Sequence, residues 1–539
     1  MLFTSYTFIA FMAVVFLAYY LVPKKWQWPL LLIASYVFYW CADPMYLIFI
    51  GVTTVSTYAV SRLLEKVNAE QKAYLQAHKA ELDKDQKKAY KAKMKAKKWH
   101  LLLLCLIFNL GILSVTKYTN FVISNINGFL SGENKLGLVD MIVPMGISFY
   151  TFQSMGYIID VYRDKQAAQR NFFKLALFVS FFPQLVQGPI SRYGDLSKTL
   201  YEPHAFDRKT VSYGMMRILW GYFKKVVVAD RLVTAVLTLV NGKEIIDSYG
   251  TVFVDYNGAY VFVAMLFYAF QLYCDFTGGI DITIGIAEVL GIRLAENFNL
   301  PYFSKNIKEY WNRWHITMGT WFTDYIFYPI SVCKPMLKLS KWSREHLGPA
   351  VGKRVTVYLS SFAVWLTTGI WHGAAWNFIV WGLANWVVIM VSQELEPLYA
   401  KFHAKTKLKG KAPYEMFQIV RTILLMSMIR MFDCYRDVPL TFKKLGTMFT
   451  TFNWNELFNG SLLQLGISGA EYILLGVCLL VIFGVSLYKY RTERSVRDSL
   501  YAKHPNLFYC LMGTMLVVIL VFGAYGIGFD SSQFIYSEF

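Results

Sequence analysis

Three shortages narrow the chemistry before any motif is found. Cysteine is sparse and scattered: the seven stand at positions 41, 105, 274, 333, 434, 478 and 510, with no C-x-x-C pair. That spacing argues against a disulfide framework and a thiolate zinc site. Charge is short as well, at 17% of residues where soluble domains carry about a quarter. The third shortage is of enzyme signatures. No G-x-S-x-G, P-loop, G-x-G-x-x-G or H-E-x-x-H stretch occurs, which removes the common hydrolase, nucleotide, dinucleotide and zinc-protease sites.

What the chain has instead is apolar length. Of its 539 residues 56% are hydrophobic, and the mean hydropathy is +0.37. Runs that approach or exceed the ~20 residues a bilayer core demands fall near 4–22, 27–42, 45–63, 100–118, 136–158, 171–190, 212–238, 252–274, 352–371, 374–393, 415–432, 470–488 and 506–527. The alternation of barrel strands is missing, and open sheet edges do not survive in lipid. These patterns predict an all-α polytopic membrane protein with roughly 11–13 transmembrane helices. Segments near 171–200, 276–300 and 311–333 are interrupted by "FFPQLVQGPI", "FTGGID" and "NLPYF". They read as re-entrant or interfacial pieces lining an internal site.

The net charge of +19 does not indicate nucleic acid, because it is concentrated. Arg62 to Lys98 holds twelve Lys/Arg against five Asp/Glu, the mark of a basic cytoplasmic helical insert at about 64–99. Lys489, Arg491, Arg494, Arg497 and Lys503 form a second basic loop. Both loops on the cytoplasmic side put the two termini outside. Residues 4–22 lack the basic start and small-residue cleavage site of a signal peptide. No internal repeat divides the chain, so residues 1–539 read as a single membrane domain.

Eight histidines occur. His78, His100, His204, His346, His403 and His504 sit in polar or basic surroundings and read as surface residues. His372 is different, for it lies in "GIWHGAAWNFIVWG" after an uncharged run from Val355 to Ile370. Ionisable groups in spans default to function, and a neutral imidazole can accept a proton; the bland reading is a satisfied core histidine. Gly369 and Gly373 beside it suit close approach by a helix or a narrow substrate. Trp311, His315, Met318 and Phe322 follow a helical i, i+4, i+7, i+11 spacing and predict one face; the bland reading there is an interfacial helix. Gln271, Asp275 and Asp281 surround a Gly-Gly break, with Asp281 expected to cap the helix that follows. Two isolated histidines make a poor metal site, and none is expected. A histidine base without a serine or cysteine nucleophile suits direct activation of a hydroxyl, as in acyl transfer from a thioester.

The stretches "ENFNLPYFSKNIKEYWNRWHITMGTWFTDYIFYPI" and "GIWHGAAWNFIVWG" resemble the membrane-bound O-acyltransferase family, in the bacterial branch of the alginate and peptidoglycan O-acetylation proteins. "PMGISFYTFQSMGYIIDVYR", "FFPQLVQGPISRY", "YCDFTGGIDITIGIAEVLGIRLAENFN" and the terminal "FIYSEF" resemble the same branch in the same order. Two positions depart from its usual motif: Asn312 replaces a basic residue and Gly319 a hydroxyl. The resemblance implies a ring-like funnel of helices around a central tunnel. It implies His372 as the catalytic histidine and His315 as a second one. Gln271, Asp275, Asn297, Trp311, Trp371 and Asn377 are expected, from their place in the chain, to bind substrate or support the site.

The implied activity is O-acylation of an extracytoplasmic polysaccharide or peptidoglycan by a multi-pass protein of the bacterial cytoplasmic membrane. No bound cofactor is implied; the donor would be acetyl-CoA or another acyl thioester on the cytoplasmic side, and the acyl group acetyl. An extracytoplasmic acetyltransferase would be the partner. Tyr536 in "FIYSEF" is expected to contact that partner or carry the acyl group briefly, against the simpler role of an interfacial anchor. The alternative function is a transporter or flippase for a glycan or a lipid-linked substrate.

Overall fold

A computed structural model describes residues 3–131, 134–247, 250–254 and 256–525. The chain divides into two units, Met1–Gly214 with Ile286–Ala295, and Met215–Gly285 with Glu296–Phe539. Each of the thirteen apolar runs contains helix. Among the described residues, six helices are long and apolar enough to cross a membrane by length and composition: Tyr46–Ala77, Lys84–Asn127, Gly258–Val289, Trp376–Glu394, Gly469–Thr492 and Pro505–Phe522. Among the described residues the only strands are Lys243–Asp247 and Gly250–Val254, one antiparallel pair.

The first unit holds α1 (Tyr6–Leu21), α2 (Gln27–Trp40), α3 (Tyr46–Ala77), α4 (Lys84–Asn127), α5 (Ile147–Tyr162), α6 (Phe172–Ser180), α7 (Phe182–Leu185) and α8 (Tyr193–Leu200). The basic insert is the end of a helical hairpin. Helix α4 starts on a capping box between Asp83 and Gln86, which satisfies backbone N–H groups that an isolated helix start leaves open. Lys98 donates to Asn68 at 2.8 Å, and Tyr74 stacks on Tyr90 at 4.1 Å. The expected break in the 171–190 run falls at Phe181, where α6 gives way to α7 with Pro183 in its first turn. His204 is half-buried instead of solvated, with Nε2 2.8 Å from the Thr199 carbonyl.

In the second unit lie α9 (Arg208–Tyr222, which begins in the first), α10 (Asp230–Asn241), α11 (Gly258–Val289, whose end returns to the first), α12 (Ile307–Arg313), α13 (Ile316–Phe322) and α14 (Tyr328–Ser331). They are followed by α15 (Lys334–His346), α16 (Pro349–His372), α17 (Trp376–Glu394), α18 (Glu396–Thr406), α19 (Ala412–Tyr435), α20 (Val438–Thr450), α21 (Gly469–Thr492), α22 (Val496–Lys503) and α23 (Pro505–Phe522). A π-helical segment, Phe223–Ala229, joins α9 to α10, and a second, Thr323–Phe327, joins α13 to α14.

Two expectations fail here for physical reasons. "FTGGID" does not break a helix: α11 is continuous through it. Gly278 serves a close crossing, since a Cβ there would stand 2.9 Å from the Gly221 carbonyl oxygen, and one at Gly221 2.6 Å from that of Gly278. Asp281 caps nothing. It sits inside α11, paired with Arg217 at 2.9 Å and Lys224 at 2.6 Å.

Candidate functional site around His315 and His372

The single helical face expected from Trp311 to Phe322 does not form. Helix α12 ends at Arg313, and His315 stands between it and α13 with φ 48° and ψ 53°. A left-handed backbone at a residue with a Cβ costs about 1–2 kcal/mol, so the surroundings must hold it. Asn297 is the main holder. Its side-chain oxygen lies 3.1 Å from His315 Nδ1, 3.0 Å from the Thr317 backbone nitrogen and 2.9 Å from the Thr317 hydroxyl. Phe298 and Trp314 form a backbone bridge beside it, and the Ile316 N–H donates to the Asn297 carbonyl at 2.9 Å.

This arrangement decides a proton position. The Thr317 N–H can only donate, so the Asn297 atom it meets is an oxygen, and Nδ1 of His315 must donate to that oxygen. In the neutral ring the lone pair is therefore on Nε2. The imidazole packs edge-on against Phe276, with centroids 5.0 Å apart.

His372 is the last residue of α16 and is 7% exposed. Its ring meets Trp381 at 4.6 Å and Trp371 at 5.0 Å between centroids. Trp371 also lies 6.0 Å from the His315 ring, so one indole stands within packing distance of both histidines. Glycine sets the depth of the α16–α17 crossing. A Cβ at Gly369 would be 2.6 Å from the Phe378 carbonyl oxygen, and one at Gly382 2.5 Å from that of Trp365. At Gly373 the space is taken by the Phe378 ring. Both glycines beside His372 thus serve helix packing.

Trp311 belongs to the same layer, 4.8 Å from Trp365 and 5.8 Å from Trp381, with its indole N–H on the Asn385 oxygen at 3.2 Å. Asn377 is buried and donates to the Phe432 carbonyl at 3.1 Å, tying α17 to α19. Asp275 faces elsewhere: its carboxylate pairs with Lys225 at 2.5 Å, and Lys225 reaches Asp230 at 2.8 Å. Gln271 is buried one turn before it. Tyr536 lies outside the described residues. No cluster of three His, Cys, Asp or Glu suited to a metal occurs among the described residues.

The sequence reading missed Arg430. This residue, 6% exposed, places its guanidinium carbon 4.7 Å from the Trp314 ring centroid, 5.2 Å from that of Trp381 and 5.7 Å from that of Trp311. An arginine inside the apolar run 415–432 carries the same signal that singled out His372.

Residues 163–435 match the family described as MBOAT, membrane-bound O-acyltransferase, a span that includes both histidines. A probable alginate O-acetylase of Pseudomonas syringae pv. tomato is 34% identical over 387 residues, 71% of this chain and 64% of that protein. The chain therefore spans just under two thirds of that relative. The peptidoglycan O-acetyltransferase of Helicobacter pylori is 30% identical over 75% of this chain and 72% of its own. The teichoic acid D-alanyltransferase of Bacillus subtilis is 28% identical over 46% of this chain and 59% of its own. On the extent of these matches, the chain belongs to the membrane-bound O-acyltransferase family.

Proposed function

We propose that this chain is an O-acyltransferase that passes an acetyl group from a cytoplasmic acyl thioester, such as acetyl-CoA, towards a hydroxyl of an envelope glycan, through an extracytoplasmic partner transferase. The observation that carries the reading is the placement of two buried histidines around one tryptophan in a dense aromatic layer. Relatives named for O-acetylation of alginate and peptidoglycan support the choice of acyl group and acceptor.

In this reading His372 is the general base. The acceptor O–H loses its proton to the imidazole while its oxygen attacks the thioester carbonyl carbon. The resulting tetrahedral intermediate re-forms its C=O bond and expels the thiolate, which takes the proton from the imidazolium. His315 uses its Nε2 lone pair to orient the hydroxyl. Positioned proton transfer is worth ~10²–10⁴-fold in rate. The basic insert and the 489–503 loop lie on the cytoplasmic side, where the donor is made.

The test is mass spectrometry of envelope glycans from cells carrying wild-type chain or His372→Ala. The variant is expected in the membrane at normal abundance with O-acetylation nearly absent. Unchanged acetylation would remove the enzyme reading, and a transporter of glycan would be the reading left.

A further inference from the structure

Arg430 is a buried cation within the aromatic layer that also holds His372. Its flat guanidinium packs against three indoles supplied by α12, the α12–α13 link and α17. It donates to the Tyr310 hydroxyl. Asp433, one turn along α19 and also 6% exposed, lies 4.0 Å away and is engaged by the Tyr268 hydroxyl. That separation leaves Coulomb attraction, but it exceeds the ~2.7–2.9 Å of a charge-assisted hydrogen bond. Trp381 is shared between them: its ring centroid lies 5.2 Å from the guanidinium carbon and 4.6 Å from the His372 ring centroid. Trp314, the nearest of the three indoles, directly precedes His315.

A guanidinium stacked on aromatic faces presents its N–H groups in its own plane, a fork suited to an oxyanion or carboxylate; an ammonium has no such edge. Acyl transfer creates one negative charge, on the former carbonyl oxygen. Preorganised donors aimed at such a charge act most strongly where burial lowers the local dielectric, and Arg430, His315 and His372 are all buried.

We infer that Arg430 is the anion-binding residue of this site, holding the acyl carbonyl oxygen through its N–H edge as that oxygen becomes an oxyanion. The inference rests on the acyl-transfer reading. In the step, the hydroxyl oxygen bonds to the carbonyl carbon and the C=O π pair moves onto oxygen. The hydroxyl proton goes to His372, and loss of thiolate restores the C=O bond. Arg430 stays protonated throughout.

The experiment uses the full chain. Thiol release from acetyl-CoA in native membranes, which hold the hydroxyl acceptor and any partner, gives the rate. Tryptophan fluorescence of the detergent-purified chain titrated with acetate gives an anion probe. Arg430→Gln is expected to lower kcat by ~10²–10³-fold with little change in KM. Arg430→Ala should regain part of that rate when guanidinium ion is added at concentrations that leave the wild type folded. The saturable acetate response of the wild type should vanish in Arg430→Gln. Turnover within threefold of wild type in a folded Arg430→Gln chain would overturn the proposal. So would a loss in Arg430→Ala that guanidinium does not relieve while thermal melting is unchanged. If the wild type releases no thiol, the acyl-transfer reading fails on its own account. Arg430 is then judged by acetate alone, and equal titrations in wild type and Arg430→Gln overturn it.

Discussion

Asn297 collects three donors on one carboxamide oxygen, and through them fixes both the left-handed backbone and the tautomer of His315. Asn297→Ala leaves buried donors without that acceptor, at about 1–3 kcal/mol each. The expected result is a lower melting temperature together with a loss of acyl transfer larger than the loss of folded protein. His315→Asn separates the backbone from the chemistry. Asparagine tolerates the left-handed region better than most residues, so that variant should melt close to the wild type while its rate falls by ~10²-fold. A wild-type rate in a folded His315→Asn chain would remove the imidazole from the mechanism.

At the scale of the element, glycine decides how closely helices cross. Gly221→Ala and Gly278→Ala each set a Cβ under 3 Å from a backbone oxygen of the opposite helix, an overpacking expected to destabilise by about 1–3 kcal/mol. On α21, a Cβ added at Gly476 would meet nothing within 4 Å, so Gly476→Ala should be neutral or slightly stabilising, by up to ~1 kcal/mol. Thermal melting of the three variants side by side checks the contrast. Asp281→Asn tests the buried charges that the α9–α11 crossing brings together. It strips the buried Lys224 of its carboxylate, while Arg217 keeps Glu296 at 2.6 Å, and breaking such a buried pair costs about 3–5 kcal/mol.

For the whole molecule, the distribution of lysine and arginine predicts sidedness. Tyr90 lies in the basic insert and Asn459 precedes α21, whose far end enters the 489–503 basic loop. In intact cells an impermeant thiol reagent should label a cysteine introduced by Asn459→Cys and miss one introduced by Tyr90→Cys. Permeabilised cells should label both. The opposite pattern would reverse the proposed direction of acyl flow.

Apolar length, charge clustering and the two unusual histidines are one-dimensional properties, so the sequence alone determined a helical membrane protein, its basic helical insert and His315 with His372 as the residues to watch. Lipid forces backbone hydrogen bonds inside each segment, which makes composition nearly sufficient for helix placement. The tertiary structure decided whatever depends on a partner distant in the chain. "FTGGID" has the composition of a break, and only the glycine of a second helix makes it a crossing point. Asp281 precedes an apolar run as a cap would, and only Arg217 and Lys224 make it an ion-pair centre. The spacing of Trp311 and His315 fits one helical face, yet Asn297 bends the chain between them. Arg430 showed in the sequence as a charge inside an apolar run, but its place among three tryptophans from elsewhere in the chain is tertiary.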